Sequence, residues 1–215
     1  MDITPVRDHF HRTAQEFDSI YTGKKSALGK FLDRKLRWDM YERFRLTVEE
    51  CQSIEGKRVL DIGTGSGRFL FPLVDRKPEK LVGIDIAPGM IDLAKSIAQE
   101  QGVESKVEFI LGDFQNYKFS QMFHISIAVG VFDYIKVPLA LAKKMREVTI
   151  EKAIMTFPDR NTFRAPIRKL RLRLRRCPVY FYTLKDVDRL LREAGFNDHT
   201  IRKIGKIFFT VASVQ

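Results

Sequence analysis

The stretch Lys57–Gly67, KRVLDIGTGSG, decides how this chain folds. Its first part is short and rich in branched apolar residues, which is typical of a buried parallel strand. Three glycines follow at every second position, and then an apolar helical pattern that contains Pro72. Because proline lacks a backbone N–H, we expect Pro72 to kink this helix or to delay its first regular turn. The order is strand, glycine-rich loop, helix.

The same alternation continues along the chain. Further strands are predicted at LVGID ending at Asp85, at VEFILGD ending at Asp113, at Ile125–Val131 and at Lys152–Phe157. Helices are predicted at Pro88–Gln101, Pro138–Val148 and Leu184–Gly195. Strands that alternate with helices at this spacing indicate a doubly wound, mostly parallel sheet. Its ligand site is expected at the C-terminal ends of the strands.

The composition is that of an ordinary globular domain. The 215 residues are 44% hydrophobic and 30% charged. The longest apolar runs, Ile125–Phe132 and Ile207–Val214, are well short of the roughly 18 residues of a membrane-spanning helix. The N-terminal residues do not resemble a signal peptide, and two distant cysteines indicate neither a disulfide framework nor a zinc site. We therefore expect a cytoplasmic protein.

The glycine spacing separates two kinds of nucleotide-binding loop. A dinucleotide-binding loop has its third glycine one residue beyond Gly67, where Arg68 stands, so NAD is disfavoured. Asp85 ends the second strand 22 residues after Gly63. A carboxylate at this place accepts hydrogen bonds from both hydroxyls of a ribose. The loop therefore predicts a nucleoside ligand.

The base of such a nucleoside has predicted neighbours. An adenine-sized ring is expected between Ile86 and a wall near Phe114. The carboxylate of Asp113 is expected to accept a hydrogen bond from the exocyclic amine. A pyrophosphate is not required by this arrangement.

Four motifs across Arg58–Ile135 occur in a characteristic order: VLDIGTGSGRF, VGIDIAPGMIDLA, VEFILGD and VGVFDYI. Together they resemble the class I S-adenosylmethionine-dependent methyltransferases. The N-terminal FHRTAQEFDSIY is loosely similar to the quinone-biosynthesis and magnesium-protoporphyrin branches of that family. The resemblance implies an α/β fold with a Rossmann-like, doubly wound, mostly parallel seven-stranded sheet, a helical cap and a C-terminal antiparallel hairpin. It also implies S-adenosyl-L-methionine as the cofactor and no metal.

The resemblance further implies individual roles. The three glycines let the backbone approach the methionine part of the cofactor, and Asp61 places negative charge near its ammonium group. Asp85 takes the ribose hydroxyls, while Met90 packs on the adenine. Val129 and Gly130 lie beneath the sulfonium. The predicted cofactor-binding residues are Tyr21, Asp61, Gly63, Thr64, Gly65, Gly67, Asp85, Ile86, Met90, Asp113, Phe114, Val129 and Gly130.

One domain, 1–215, is predicted. Residues 1–56 form an N-terminal cap and the first helices, and residues 57–157 form the cofactor-binding core. Residues 158–182 form a basic lid, and residues 183–215 form the closing helix and the hairpin of Asp198–Ile204 with Lys206–Val214. Apolar residues of the lid follow a helical period from Phe163 to Leu174, although Leu170, Leu172 and Leu174 also suit a strand.

The net charge of +11 is local. Residues 160–176 carry a surplus of +8 and residues 24–45 a surplus of +5, so the remainder is slightly acidic. In the family, both segments lie over the C-terminal edge of the sheet. This convergence predicts that the two basic segments form a lid over an anionic acceptor. The alternative is that the charges only cover a solvent-exposed helix face.

Several partners suit this charge. A small carboxylated or phosphorylated acceptor is favoured, followed by a lipophilic acceptor on an acidic membrane surface. Nucleic acid is less favoured, because VGVFDYI lacks the prolines typical of enzymes that methylate base amines. An RNA methyltransferase and a non-catalytic S-adenosylmethionine-binding protein are the alternatives. Salt dependence of binding would separate RNA from a small molecule.

Few residues suit a direct part in catalysis. His11, Tyr134 and Asp133 are candidates for a base, and Arg164 is a candidate for binding an acidic group of the acceptor. A carboxylate acceptor would need no base. The sequence thus predicts transfer of a methyl group to oxygen, nitrogen or carbon of a small anionic or lipophilic molecule.

Overall fold

A computed structural model describes residues 4–22, 38–162 and 177–214, with the backbone alone for residues 14–22. The elements up to the third strand are α1 (Thr4–Thr22), α2 (Trp38–Glu50), β1 (Arg58–Ile62), a 3₁₀ helix (Phe71–Arg76), β2 (Lys80–Asp85), α3 (Pro88–Glu100) and β3 (Val107–Leu111). The remaining elements are β4 (Phe123–Ala128), a short 3₁₀ helix (Phe132–Tyr134), α4 (Pro138–Val148), β5 (Thr149–Pro158), α5 (Leu184–Glu193), β6 (His199–Ile204) and β7 (Ile207–Ser213).

The described strands form one seven-stranded sheet in the order β3-β2-β1-β4-β5-β7-β6. Strand β7 runs antiparallel to β5 and β6, and the other pairs are parallel. The predicted doubly wound sheet with a C-terminal hairpin is confirmed. Because the chain proceeds from β1 to β2 and β3 and then returns to β4 on the other side, a crevice opens between the C-terminal ends of β1 and β4.

Both faces of the sheet are covered by apolar side chains. On β1, the neighbours Val59 and Leu60 are fully buried on opposite faces. Val59 belongs to a cluster that includes Leu46 of α2, and Leu60 to a cluster that includes Leu141 of α4. Burial on both sides explains why Val59, Leu60 and Ile62 are apolar, and it holds the following loop in a fixed position.

The segment after the glycine-rich loop differs from the predicted helix. Leu70 donates its N–H to Gly67 over 2.9 Å and Leu73 donates to Leu70 over 2.9 Å, so the chain forms tight turns and then the 3₁₀ helix Phe71–Arg76. Pro72 lies near the start of this helix, where its missing N–H costs little. The expected disturbance by Pro72 therefore takes the form of a short 3₁₀ helix instead of a kinked α-helix.

Two predicted strand ends were too late. Strand β3 ends at Leu111 and not at Asp113, and β4 ends at Ala128 and not at Val131. After β4 the backbone turns at Gly130, which has a φ of +80° and cannot continue a strand. Asp113, Val129 and Gly130 therefore lie in loops at the C-terminal edge of the sheet.

Some predictions lie outside the described residues. They include Arg164 with the greater part of the lid, residues 163–176, and much of the first basic segment, residues 23–37. The side chain of Tyr21 is not described either, although its backbone belongs to α1. Within the part of the chain that is described, no helix is both long and apolar enough to cross a bilayer.

Candidate cofactor site

The glycine-rich loop is held against the end of β2 by its own backbone. The N–H groups of Gly63 and Thr64 both donate to the carbonyl oxygen of Ile84, over 2.8 and 3.1 Å. Gly67 then donates to the carbonyl of Thr64 over 3.0 Å. The loop is therefore a rigid turn that joins the C-terminal ends of two adjacent strands.

The glycines of this loop have different surroundings. A Cβ on Gly63 would lie 2.7 Å from Val131 Cγ2, and a Cβ on Gly67 would lie 2.8 Å from the rings of Phe71 and Phe109. A Cβ on Gly65 would meet nothing nearer than the Met90 sulfur at 4.0 Å. Gly63 and Gly67 are thus required by packing, whereas the side of Gly65 that a Cβ would occupy is open.

Asp85 lies at the end of β2, directly beside Gly65. Its carboxylate accepts hydrogen bonds from the backbone N–H groups of Gly65 and Ala87, each over 2.9 Å. Burial raises the pKa of Asp85, and these N–H groups offset part of the shift. An ionised carboxylate has about four lone-pair directions, so lone pairs remain for the two hydroxyls of a ribose.

Asp61 is buried at the end of β1. Its described hydrogen bond comes from the Thr64 hydroxyl, over 2.8 Å. The pKa of Asp61 is raised to about 7, mainly by burial; the hydrogen bond from Thr64 opposes this rise, and the nearby charge of Asp85 adds to it. A ligand that brings an ammonium group would supply the missing compensation, as the amino-acid part of S-adenosylmethionine does.

The residues predicted around the adenine are arranged less simply. Met90 is buried and belongs to a small cluster with Ala87, while Ile86 is half-buried beside it. Asp113 accepts hydrogen bonds from the Gln115 N–H at 3.0 Å and from Asn116 Nδ2 at 2.5 Å. The Phe114 ring packs against Phe119 in the core. Their contacts with adenine stay predictions.

The loop after β4 forms the other side of the crevice. Val129 is buried, and the Gly130 N–H donates to Thr156 Oγ1 over 2.8 Å. The guanidinium of Arg43, from α2, lies beside this turn, since its Nη1 would be 3.5 Å from a Cβ on Gly130. A cationic group therefore reaches the C-terminal end of β4.

The candidate bases have been placed by the structure. Tyr134 is half-buried in a cluster with Cys177, Val179 and Phe181, and Asp133 is buried. The Asp133 carbonyl accepts a hydrogen bond from the Tyr180 N–H over 2.7 Å. His11 lies on α1, where its Nδ1 accepts a hydrogen bond from the Gly89 N–H over 3.0 Å.

Some residues of the site had no predicted role. Gly83, in β2, lies against Thr64, because a Cβ there would be 2.7 Å from Thr64 Oγ1. Gly89 makes room for His11, and Phe10 contacts Tyr134. A glycine inside an otherwise apolar strand indicates close approach of another group, so Gly83 could have been found from the sequence.

A metal has no evident place in the described residues. Among them, no cluster of three or more His, Cys, Asp and Glu side chains could hold an ion. The predicted ligand with hydroxyl and ammonium groups would instead meet the carboxylates of Asp61 and Asp85 at this edge of the sheet.

Comparison with known proteins decides the family. A methyltransferase-domain family model matches residues 53–195, about two thirds of the chain. This chain belongs to the methyltransferase-domain family. Its predicted membership in the class I S-adenosylmethionine-dependent methyltransferases is thereby confirmed, and so is the predicted methyl donor.

Relatives of this methyltransferase differ in their substrates. It is 33% identical over 129 residues to EEF1A lysine methyltransferase 2 of Mus musculus, covering 58% of this chain and 46% of that protein. It is 30% identical over 127 residues to malonyl-[acyl-carrier protein] O-methyltransferase of Acetivibrio thermocellus, covering 59% and 38%. The chain spans about half the length of these curated relatives.

A solved structure resembles this methyltransferase over its full length. It is the magnesium protoporphyrin IX methyltransferase from Synechocystis PCC 6803, crystallised with bound S-adenosylhomocysteine (SAH). The two structures superimpose with a TM-score of 0.79 at 20% identity, and the match covers all of both chains. At this identity the likeness establishes the fold alone.

Proposed function

We propose that this methyltransferase transfers a methyl group from S-adenosylmethionine to a small acceptor that carries a negative charge beside an apolar body. The cofactor part of the proposal is carried by the Asp85 carboxylate next to the open side of Gly65, and the acceptor part by the Arg43 guanidinium beside Gly130. S-adenosylmethionine supplies a methyl group already activated by its sulfonium. The protein has mainly to hold the acceptor in line and to exclude water.

The charge of the acceptor is inferred from the loop after β4. Arg43 is half-buried on α2, and its guanidinium approaches the backbone of Gly130 at the crevice. The positive charge of a guanidinium in this position suits a carboxylate or a phosphate group. The sequence of the basic lid, which includes Arg164, adds further positive charge.

The apolar body of the acceptor is inferred from the described residues at the C-terminal end of the lid. Cys177, Val179, Phe181 and Tyr134 form one cluster. The Tyr182 hydroxyl donates to the Phe132 carbonyl over 3.0 Å, so the end of the lid is anchored to the turn after β4. An acceptor at this edge of the sheet would therefore meet aromatic and aliphatic side chains.

A protein lysine is the second candidate acceptor, because three curated relatives are named as lysine methyltransferases. A lysine side chain would have to approach the Arg43 guanidinium, which repels its ammonium form, and it would have to lose its proton before the nitrogen could take the methyl group. The described part of the site thus favours an anionic small molecule over a lysine side chain.

The need for a base depends on the acceptor. A carboxylate needs none, whereas a hydroxyl or a carbon acid of high pKa does. Tyr134 and Asp133 lie at the appropriate edge of the sheet and are retained as candidates. His11 is a weaker candidate, because the lone pair of its Nδ1 already accepts from Gly89.

Cofactor binding is tested by calorimetry with S-adenosylhomocysteine (SAH), the demethylated product. The wild type is expected to bind in the micromolar range and Asp85→Ala to lose binding. Asp92→Ala, which removes an exposed carboxylate from α3, is the matched control and should bind as the wild type does. Binding retained by Asp85→Ala would contradict the assignment of this site.

The acceptor class is tested with labelled S-adenosylmethionine and a cell extract separated by ultrafiltration. Methylation is expected with the small-molecule fraction and is expected to be lost after that fraction passes an anion-exchange resin. Arg43→Gln should methylate poorly, whereas Arg45→Gln on the same helix, whose side chain pairs with Glu42 and Glu49, should not. Activity confined to the macromolecular fraction would favour lysine or RNA instead.

A further inference from the structure

Helix α1 is joined to the cofactor site by a histidine. It packs on α3, and His11 Nδ1 accepts a hydrogen bond from the Gly89 N–H over 3.0 Å. Gly89 is the second residue of α3, and the first N–H groups of a helix have no partner within the helix. His11 therefore caps α3 from a different helix.

Gly89 is matched to this contact. A Cβ at this position would lie 2.9 Å from His11 Nδ1 and 3.0 Å from the His11 carbonyl oxygen. The first distance is shorter than real Cβ contacts and the second is tighter than most of them, so a larger residue would have to displace His11 or move α1 away from the start of α3. The close approach of the two helices thus depends on both partners.

The residue before His11 extends across the crevice. The Phe10 ring packs on Ala87 and Met90, which follow β2. It also meets the Tyr134 ring edge to face, with centroids 5.1 Å apart. Tyr134 follows β4, so one side chain of α1 contacts both sides of the site. Because the Met90 sulfur is also the nearest neighbour of a Cβ on Gly65, at 4.0 Å, a cofactor held at Asp85 and Gly65 would lie next to this bridge.

We infer that His11 is a positioning residue that holds α1 closed across the cofactor site and thereby slows release of the cofactor. The inference rests on the proposed function, since it takes the crevice to be the cofactor site. The neutral ring keeps its hydrogen on Nε2 and uses the lone pair of Nδ1 for Gly89. This role needs a hydrogen-bond acceptor at the δ position of the side chain, and it involves no proton transfer.

The test measures the rate at which tritiated SAH leaves the protein in a chase with unlabelled SAH. One lost hydrogen bond corresponds to about a two- to tenfold change, so His11→Leu is expected to release SAH faster by that factor. His11→Asn keeps an oxygen acceptor at the δ position and is expected to release slowly. Gly89→Ala is expected to speed release although alanine favours helix formation, which separates cap closure from stability.

The controls give each result one meaning. Arg12→Gln changes an exposed residue of α1 that bonds to the Asp8 carbonyl of its own helix, and should release SAH as the wild type does. Unchanged release from both His11→Leu and Gly89→Ala would overturn the inference, as would fast release from His11→Asn. A wild type that does not bind SAH would overturn the proposed function itself and the inference with it.

Discussion

The hydroxyl of Thr64 donates a hydrogen bond to Asp61 over 2.8 Å, and both side chains are buried. Thr64 belongs to the glycine-rich loop and Asp61 to the strand before it. The bond therefore ties the carboxylate to the turn that approaches the cofactor. It leaves most of the hydrogen-bonding capacity of that carboxylate for a ligand.

Cofactor affinity should depend on pH through Asp61, whose pKa burial raises to about 7. An ammonium group favours the ionised form, so binding SAH should release protons near pH 6.5 and affinity should rise as the pH rises through 7. Calorimetry at this pH in buffers of different ionisation enthalpy measures the release. Asp61→Asn should abolish the buffer dependence and weaken binding about tenfold or more. Buffer-independent heats in the wild type would contradict this role.

The same group affects the stability of the cofactor-free protein. Between the unfolded pKa of about 3.9 and the folded value near 7, the folded state binds more protons than the unfolded state. Stability should therefore fall as the pH rises through this interval. Asp61→Asn should flatten the profile in urea unfolding, and an equally steep profile in the variant would assign the dependence to other groups.

Gly83→Ala should disturb the cofactor site through its contact with Thr64. Its Cβ would lie 2.7 Å from Thr64 Oγ1, so Thr64 would have to move away from Asp61. Such overpacking costs about 1–3 kcal/mol in unfolding free energy, and SAH affinity should fall as well. Combination with Thr64→Gly, which removes the clash, should cost less than the sum of the single variants. Strict additivity would show that the two residues do not interact.

Lys77→Gly should stabilise the protein without affecting SAH affinity. Lys77 has a φ of +52°, a left-handed conformation that costs a residue with a Cβ about 1 kcal/mol. Its ion pair with Glu55 joins two well exposed side chains at 4.0 Å and contributes little. Lys77→Ala is the matched control, because it keeps the Cβ and should bring no gain. Equal stabilities of the two variants would exclude backbone strain at this position.

Replacement of Arg168, Arg171 and Arg175 by glutamine tests the lid. The triple variant should raise the acceptor KM and leave SAH affinity intact, because these charges belong to the acceptor side of the proposal. A triple glutamine variant of the exposed Lys77, Lys95 and Lys106 removes the same net charge elsewhere. An unchanged acceptor KM in the lid variant would favour a solvated helix face.

The parts of the site that follow strand ends were predictable, and those that depend on tertiary contact were not. Asp61, Gly65 and Asp85 sit at places where a parallel sheet always presents its ligands, so local pattern and topology were sufficient. The contact of His11 with Gly89 joins residues 78 positions apart. A histidine followed by polar residues gives no signal of the helix end that it caps.

The C-terminal strand has a consequence for synthesis. Strand β7 lies between β5 and β6, and among the described strands β6 has no other neighbour in the sheet. A nascent chain that has not yet emerged past residue 207 already contains the strands that carry the glycine turn and both carboxylates, while the flank of β5 stays open to solvent. Until the last hairpin inserts, that flank is a template to which a foreign strand can add.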